Sequence, residues 1–277
     1  MRDDTVYADL HTHTHCSDGT LAPAALVQRA AERGVQVLAV TDHDTVAGLK
    51  AARAAAQSCG IHFVNGAELS VEADGRSVHL LGYGFDPTHS ALTDYLSAFS
   101  RRRRKRLGTM IGRLAEHGVE VSAEAVERQV GTSAAPGRPH LARALVEEGH
   151  VDSYPAAFEQ YLDAGESAYV PAPTQPAPEA IDVLHAAGGV AVLAHPGQWM
   201  PGDVVTSLRD QGLDGIECVF PSHPDYLIDY YQNICRSRNL LVTGGSDYHG
   251  GPETDETHLG TVGLTLAQWE RFRNVVL

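Results

Sequence analysis

Two histidines one residue apart mark the first stretch of this 277-residue chain that could do chemistry. They stand in Asp9-Leu10-His11-Thr12-His13, after the apolar start Val6-Tyr7-Ala8 and before Ser17-Asp18-Gly19. Residues i and i+2 of a β-strand point to one face, so a strand end here would present two imidazoles side by side. Neutral imidazoles with carboxylates nearby suit a first-row transition metal. His-x-His alone is a weak signal, and its recurrence with similar partners gives it weight. The apolar run 35–40 leads into Thr41-Asp42-His43-Asp44, 61–64 into Gly66-Ala67-Glu68, 190–194 into His195-Pro196-Gly197, and 240–242 into Gly245-Ser246-Asp247-Tyr248-His249. His79, inside the apolar segment 77–83, is a further candidate. Any one of these residues could be a satisfied core or capping group. Strand ends converging on one rim build the sites of barrels and α/β sheets, so the set together predicts a metal site.

The elements that must position these residues follow a βα rhythm. Pro23 suits the first turn of a helix that stops at Gly34. A second helix is expected over 46–58, then a strand ending near Glu68 and a hairpin about Asp74-Gly75. Such alternation predicts a parallel sheet or barrel. The character changes after Phe85-Asp86-Pro87: from about 90 to 168 the pattern is helical. The basic run 101–106 lies on a helix expected over 91–115, either as a solvated face or as arginines reaching an anionic substrate. Gly131 to His140 reads as a loop feeding a helix over 141–148, where backbone N–H groups and Arg138 could cradle a phosphate. The proline-rich stretch 169–178 reads as an extended connector. Helices over 179–187, 204–211 and 224–238 then alternate with strands running into His195, over 215–219 and into Asp247. The expected division is 1–88, 89–168 and 169–277.

Composition narrows the class. Hydrophobic residues make up 43% and charged residues 20%, as in ordinary globular chains. The net charge of −14 disfavours sequence-blind binding to long nucleic acid, but not a small anionic substrate beside a metal. None of the four cysteines forms Cys-x-x-Cys. No signal-like leader and no apolar run of about 18 residues is evident, so a cytoplasmic protein with no membrane partner is expected. Fifteen histidines is a high count, but nine lie outside the proposed metal set, so richness alone decides nothing.

The motifs His11-Thr12-His13, Ser17-Asp18-Gly19, Thr41-Asp42-His43-Asp44, Gly66-Ala67-Glu68, His79-Leu80-Leu81-Gly82-Tyr83, Ala194-His195-Pro196-Gly197 and Gly245-Ser246-Asp247-Tyr248-His249 resemble those of the polymerase-and-histidinol-phosphatase (PHP) family. Gly137-Arg138-Pro139-His140 is similar to its nucleotide-acting subgroup. The resemblance implies an α/β fold, a distorted seven-stranded (β/α) barrel with a helical insertion over its mouth. It implies two or three divalent metals, with His11, His13, Glu68 and Asp247 on one and Asp18, His43 and His249 on a second. His79 and His195 would hold a third, bridged by Glu68. Mixed nitrogen and oxygen ligands favour manganese, iron or zinc over magnesium.

The implied activity is hydrolysis of a phosphate monoester of a small nucleotide by a metal-bridging hydroxide, first the 3′-phosphate of a nucleoside 3′,5′-bisphosphate. The alternatives are a nucleoside-monophosphate phosphatase, a 5′–3′ exonuclease on short 5′-phosphorylated RNA, a C–N hydrolase and a non-catalytic metal-binding PHP module. Asp42 is expected to orient an imidazole, and Asp44 to cap the helix after it. Arg138 and His140 are assigned to catalysis and phosphate binding, and His15 and Trp199 to substrate contact. The chain departs from its relatives at His15, where a small or hydroxylic residue is common, and at Gln198, where many carry arginine.

Overall fold

The computed structural model describes residues 5–131, 133–198, 200–251 and 253–276, with nothing to say of the side chains of 253–255. The chain divides into two units, one of residues 1–95 and 174–277, the other of 96–173.

The first unit is a mixed α/β, nearly closed seven-strand barrel. Its strands are β1 (Ala8–Asp9), β2 (Val37–Val40), β3 (His62–Ala73), β4 (Arg76–Tyr83), β6 (Val190–Leu193), β7 (Gly215–Val219) and β8 (Leu241–Gly244), paired in that order, with the two-residue β5 (Gln175–Pro176) beside β3. β2 and β6 are apolar and buried along their whole length, as strands covered on both faces must be. Helices α1 (Pro23–Glu32) and α2 (Leu49–Cys59) follow the first strands. The helices α7 (Ala177–Ala186), α8 (Gly202–Asp210) and α9 (Asp225–Arg238) alternate with the last three strands. Leu26, Val27 and Ala30 form the buried stripe of α1, and Pro23 sits in its first turn.

The seam between β1 and β8 is closed by backbone bonds beyond their ends. Leu10 N–H donates to the Gly244 carbonyl (3.2 Å), Asp247 N–H to that of His11 (2.8 Å), and His13 N–H to that of Tyr248 (2.8 Å). Such an approach needs glycine: a Cβ on Gly245 would lie 2.4 Å from the His11 nitrogen.

Three expectations are corrected here. The sheet is not all parallel, because the β3–β4 hairpin turns at Asp74-Gly75, both at positive φ (49° and 74°) as this turn demands, so β4 runs against both neighbours. Glu68 lies in the middle of β3, not at a strand end. The connector 169–178 also supplies β5. Beyond the last strand, α10 (Glu253–His258) and α11 (Leu266–Val276) complete the unit, and α11 buries Trp269 and Phe272 against Tyr83.

The second unit is helical. It holds most of α3 (Ser90–Glu116), then α4 (Ala123–Val130), α5 (Arg138–Glu147) and a short α6 (Tyr154–Ala157) that runs on into one π-turn. Its own core is built from Met110, Leu114, Val126, Leu141, Leu145 and Leu162, among others. This unit runs from Leu96, within α3, to Pro173.

Candidate metal centre

Past β1 the chain stays extended. Thr12 is held outward: its hydroxyl donates to the Ala39 carbonyl (2.7 Å) and its N–H to the Thr41 hydroxyl (3.1 Å). His11 and His13 therefore share the opposite side, fully buried, with Nε2 atoms 3.1 Å apart. The following turn is fixed by Asp42, which accepts from Thr14 N–H, Thr14 Oγ1 and Ser17 Oγ, each at 2.7 Å. That turn delivers Asp18, whose carboxylate lies 3.5 Å from His249 Nε2 and 3.8 Å from His43 Nε2.

Glu68 is the hub. Its Oε2 is 3.2 Å from His11 Nε2, His13 Nε2 and His43 Nδ1, and its Oε1 is 2.7 Å from His79 Nδ1 and 2.9 Å from His195 Nε2. Asp247 Oδ1 lies 3.1 Å from His11 Nε2 and 3.2 Å from His13 Nε2. Three groups able to hold an ion result: His11, His13, Glu68 and Asp247; His13, Asp18, His43 and His249; and His43, Glu68 and His79. His13 and His43 thus border two groups each. His195 meets Glu68 and packs edge-on against His79, with ring centroids 5.3 Å apart.

Buried partners set which nitrogen faces inward. His11 Nδ1–H donates to Glu217 Oε1 (2.9 Å), and His249 Nδ1–H to the Asp247 carbonyl (2.8 Å). Each ring then turns a lone pair on Nε2 toward carboxylates, so acceptor faces acceptor unless a positive charge lies between. The Nδ1 atoms of His13, His43 and His79 make no hydrogen bond among the described residues. Bonds of about 2.1 Å at right angles set two ligand atoms about 3 Å apart. The 3.1–3.2 Å separations within the first group match that spacing. The donor set fits divalent metal ions.

The electrostatics agree. Burial opposes ionisation of Glu68, yet the charges of His43, His79 and His11 hold its carboxyl well below the usual carboxylate range. Burial would lower His13, but hydrogen bonds to Asp247 and Glu68 carry it up to about 10. Burial pushes His43 down to about 4. Where no metal is bound, protons on such rings stand in for a cation. His195 (φ 25°) and Asp247 (φ 53°) also hold left-handed backbone, strain that clusters at working sites.

Other expected residues have different places. Asp44 does not cap α2, whose N-cap is Gly48; its carboxylate accepts from Ser70 N–H (2.8 Å) and Ser70 Oγ (3.0 Å), tying the turn to β3. Asp42 organises the 14–17 turn, and none of its hydrogen bonds among the described residues goes to an imidazole. His15 is exposed on that turn. Arg138 and His140 lie in the first turn of α5, not in a loop before it. His140 is buried and its Nδ1 accepts from Gly137 N–H (3.2 Å), a capping bond. Arg138 donates to the Leu162 carbonyl (3.2 Å) and lies over the rings of Phe158 and Tyr169. Trp199 lies outside the described residues.

Two buried acids escaped the sequence reading. Glu217, in the middle of β7, holds His11 with one oxygen and accepts from His195 N–H (2.8 Å) with the other. An acid inside the apolar strand Gly-Ile-Glu-Cys-Val was the available signal. Asp9 accepts from Ser246 N–H (2.9 Å) and fastens the β1–β8 seam; burial raises its carboxyl to about 7.

Known proteins share the sequence pattern and fold of this chain. The PHP domain pattern matches residues 9–168. A 5′-3′ exoribonuclease of Haemophilus influenzae is 34% identical over 273 residues, covering 95% of this chain and 98% of that protein. A 3′,5′-nucleoside bisphosphate phosphatase of Chromobacterium violaceum is 34% identical over 250 residues, covering 88% of each. A structure from Bifidobacterium adolescentis, assigned as a metal-dependent phosphoesterase, superposes with a TM-score of 0.82 at 30% identity, covering 95% of this chain and 98% of that one. This chain belongs to the PHP domain family and is a metal-dependent phosphoesterase.

Proposed function

We propose that this phosphoesterase hydrolyses a phosphate monoester of a small nucleotide, first the 3′-phosphate of a nucleoside 3′,5′-bisphosphate. The observation that carries the reading is Glu68, with one carboxylate oxygen facing His11, His13 and His43 and the other facing His79 and His195. A carboxylate shared in this way sets adjacent cation sites a few ångströms apart, the arrangement suited to an in-line displacement at phosphorus.

His11, His13, Glu68 and Asp247 would hold one ion, Asp18, His43 and His249 a second, and His79 and His195 with Glu68 a third, manganese first and iron or zinc next. When bound, such ions lower the pKa of water and offset charge on the phosphoryl oxygens. Glu217 fixes the His11 ring and the His195 backbone, so these ligands need no reordering when substrate arrives. Asp42 holds the turn that presents Asp18 and His15. Arg138, 35% accessible with Asp163 at 3.8 Å, would offer its guanidinium to a substrate phosphate.

The test is release of phosphate or nucleotide by the manganese-loaded protein from adenosine 3′,5′-bisphosphate, AMP, 3′-AMP, a 5′-phosphorylated trinucleotide and histidinol phosphate, with His11→Ala as control. Phosphate from the bisphosphate, lost in the control, supports the reading; activity confined to histidinol phosphate overturns it. Likeness to the H. influenzae exoribonuclease over nearly the whole chain favours a second reading, in which the trinucleotide yields mononucleotides.

A further inference from the structure

Two aromatic side chains on α9 face solvent although each could have been buried. Tyr226 is 64% exposed and Tyr230, one turn later on the same side of the helix, 48%. They flank a groove of about 410 Å³, lined also by Gln198, Met200, Leu227 and Tyr231. Leu227 and Tyr231 are buried and make a firm floor. None of the six lining side chains carries a charge, so the groove suits a neutral, flat group and not a phosphate.

Along the chain, the groove's lining starts close to the metal centre. One wall begins at Gln198, three residues after His195, and its side-chain oxygen accepts from the Tyr226 hydroxyl (3.3 Å). Gly197 between them is clamped: its N–H donates to His223 Nε2 (3.1 Å) and its carbonyl accepts from the Tyr231 hydroxyl. His223 is itself held by the Cys218 carbonyl and stacks on Tyr231 at 5.7 Å. Phe220, between β7 and α9, packs on the His195 and His11 rings at 5.3 and 6.4 Å. The segment from His195, which faces Glu68, to Gln198, which lines the groove, thus links the two along the chain.

We infer that this groove is the nucleobase subsite, which rests on the nucleotide reading above. Stacking on a tyrosine face tolerates any base, because every base has a π-face. The Gln198 carboxamide offers one acceptor and two donor hydrogens to the base edge.

The test compares adenosine 3′,5′-bisphosphate with ribose 3,5-bisphosphate, which lacks the base, in the wild type, Tyr226→Ala, Tyr226→Phe and Tyr230→Ala. The nucleotide-to-ribose-bisphosphate ratio of kcat/KM falls about tenfold in Tyr226→Ala, through KM, and is largely kept in Tyr226→Phe, which retains the ring face. Independently of turnover, adenosine added to the metal-free protein shifts the ring NMR signals of Tyr226 and Tyr230. An unmoved ratio in both alanine variants, with unmoved ring signals, overturns the subsite. So does an altered oligomeric state with an unmoved ratio, which makes the groove a protein contact. A wild type that hydrolyses ribose 3,5-bisphosphate but no nucleotide sinks the nucleotide reading, and the adenosine signals still decide the groove.

Discussion

The barrel unit gathers carboxylates and imidazoles, whereas the helical unit gathers guanidiniums. Around Glu68, side chains from six separate segments converge with lone pairs facing one another, an arrangement that asks for cations. In the helical unit, Arg106 is buried, and burial together with the charges of Arg138 and Arg103 lowers it to about 10. Its Nε–H goes to the Val170 carbonyl (2.8 Å), as Arg138 goes to that of Leu162, with Asp163 at 3.8 Å. Carbonyls satisfy these N–H groups without cancelling charge, while Asp163 offsets part of the charge of Arg138. The first region is made by long-range assembly, the second mostly by two helices and the chain beside them.

The largest effect should come from the hub. Glu68→Ala removes a ligand from two groups at once, so bound metal after gel filtration should drop and kcat fall by more than about 100-fold, the upper cost of losing an outer partner. Full metal content and full rate would end the contrast between the regions. Glu217→Gln keeps the shape, but its amide can no longer accept from both His11 and His195. Metal affinity by chelator competition should fall about 10–100-fold, with little change in KM.

On the cationic side, Arg138→Ala should raise KM for a phosphate ester at least about tenfold, given the strength of a charge-assisted hydrogen bond. An unchanged KM would leave Arg138 a packing residue of the helical unit.

Acidity should separate the regions further. His13, raised to about 10, must lose a proton to bind metal, so affinity should rise about tenfold per pH unit for each proton released. The sign follows from the raised value: without metal, this histidine stabilises the fold fully below about pH 6.5, and that contribution is lost as pH rises through 10. Calorimetry in two buffers of different protonation heat reads the released protons directly. The smallest effect belongs to Arg101, Arg102, Arg104 and Lys105, which are exposed on α3. Neutralising them should change stability by less than about 0.5 kcal/mol in denaturant unfolding.

Much of this was legible in the chain. The candidate ligands His11, His13, His43 and His249 follow strands whose apolar runs are unmistakable, and Asp-Gly at 74–75 announces its hairpin. The helices at 23–32 and 225–238 are bounded by the prolines and glycine expected of them. Glu217 was not legible, because a lone acid in a strand does not reveal its partner, here 206 residues away. Asp44 looked like a helix cap because local spacing allowed it, but the β3 backbone offered a stronger, buried partner.

Residue types and spacing determined by themselves that this chain builds an α/β domain with a helical insertion and a histidine–carboxylate metal centre. They could do so because ligand chemistry and strand periodicity are local properties. Only the tertiary structure decided that Glu68 sits mid-strand with each oxygen on a different set of imidazoles. It also decided that β4 reverses the sheet, that Glu217 orients two ligands, and that Tyr226 and Tyr230 line one groove with Gln198. Those facts depend on register and on which distant segments close the barrel, and distance along the chain carries no such information.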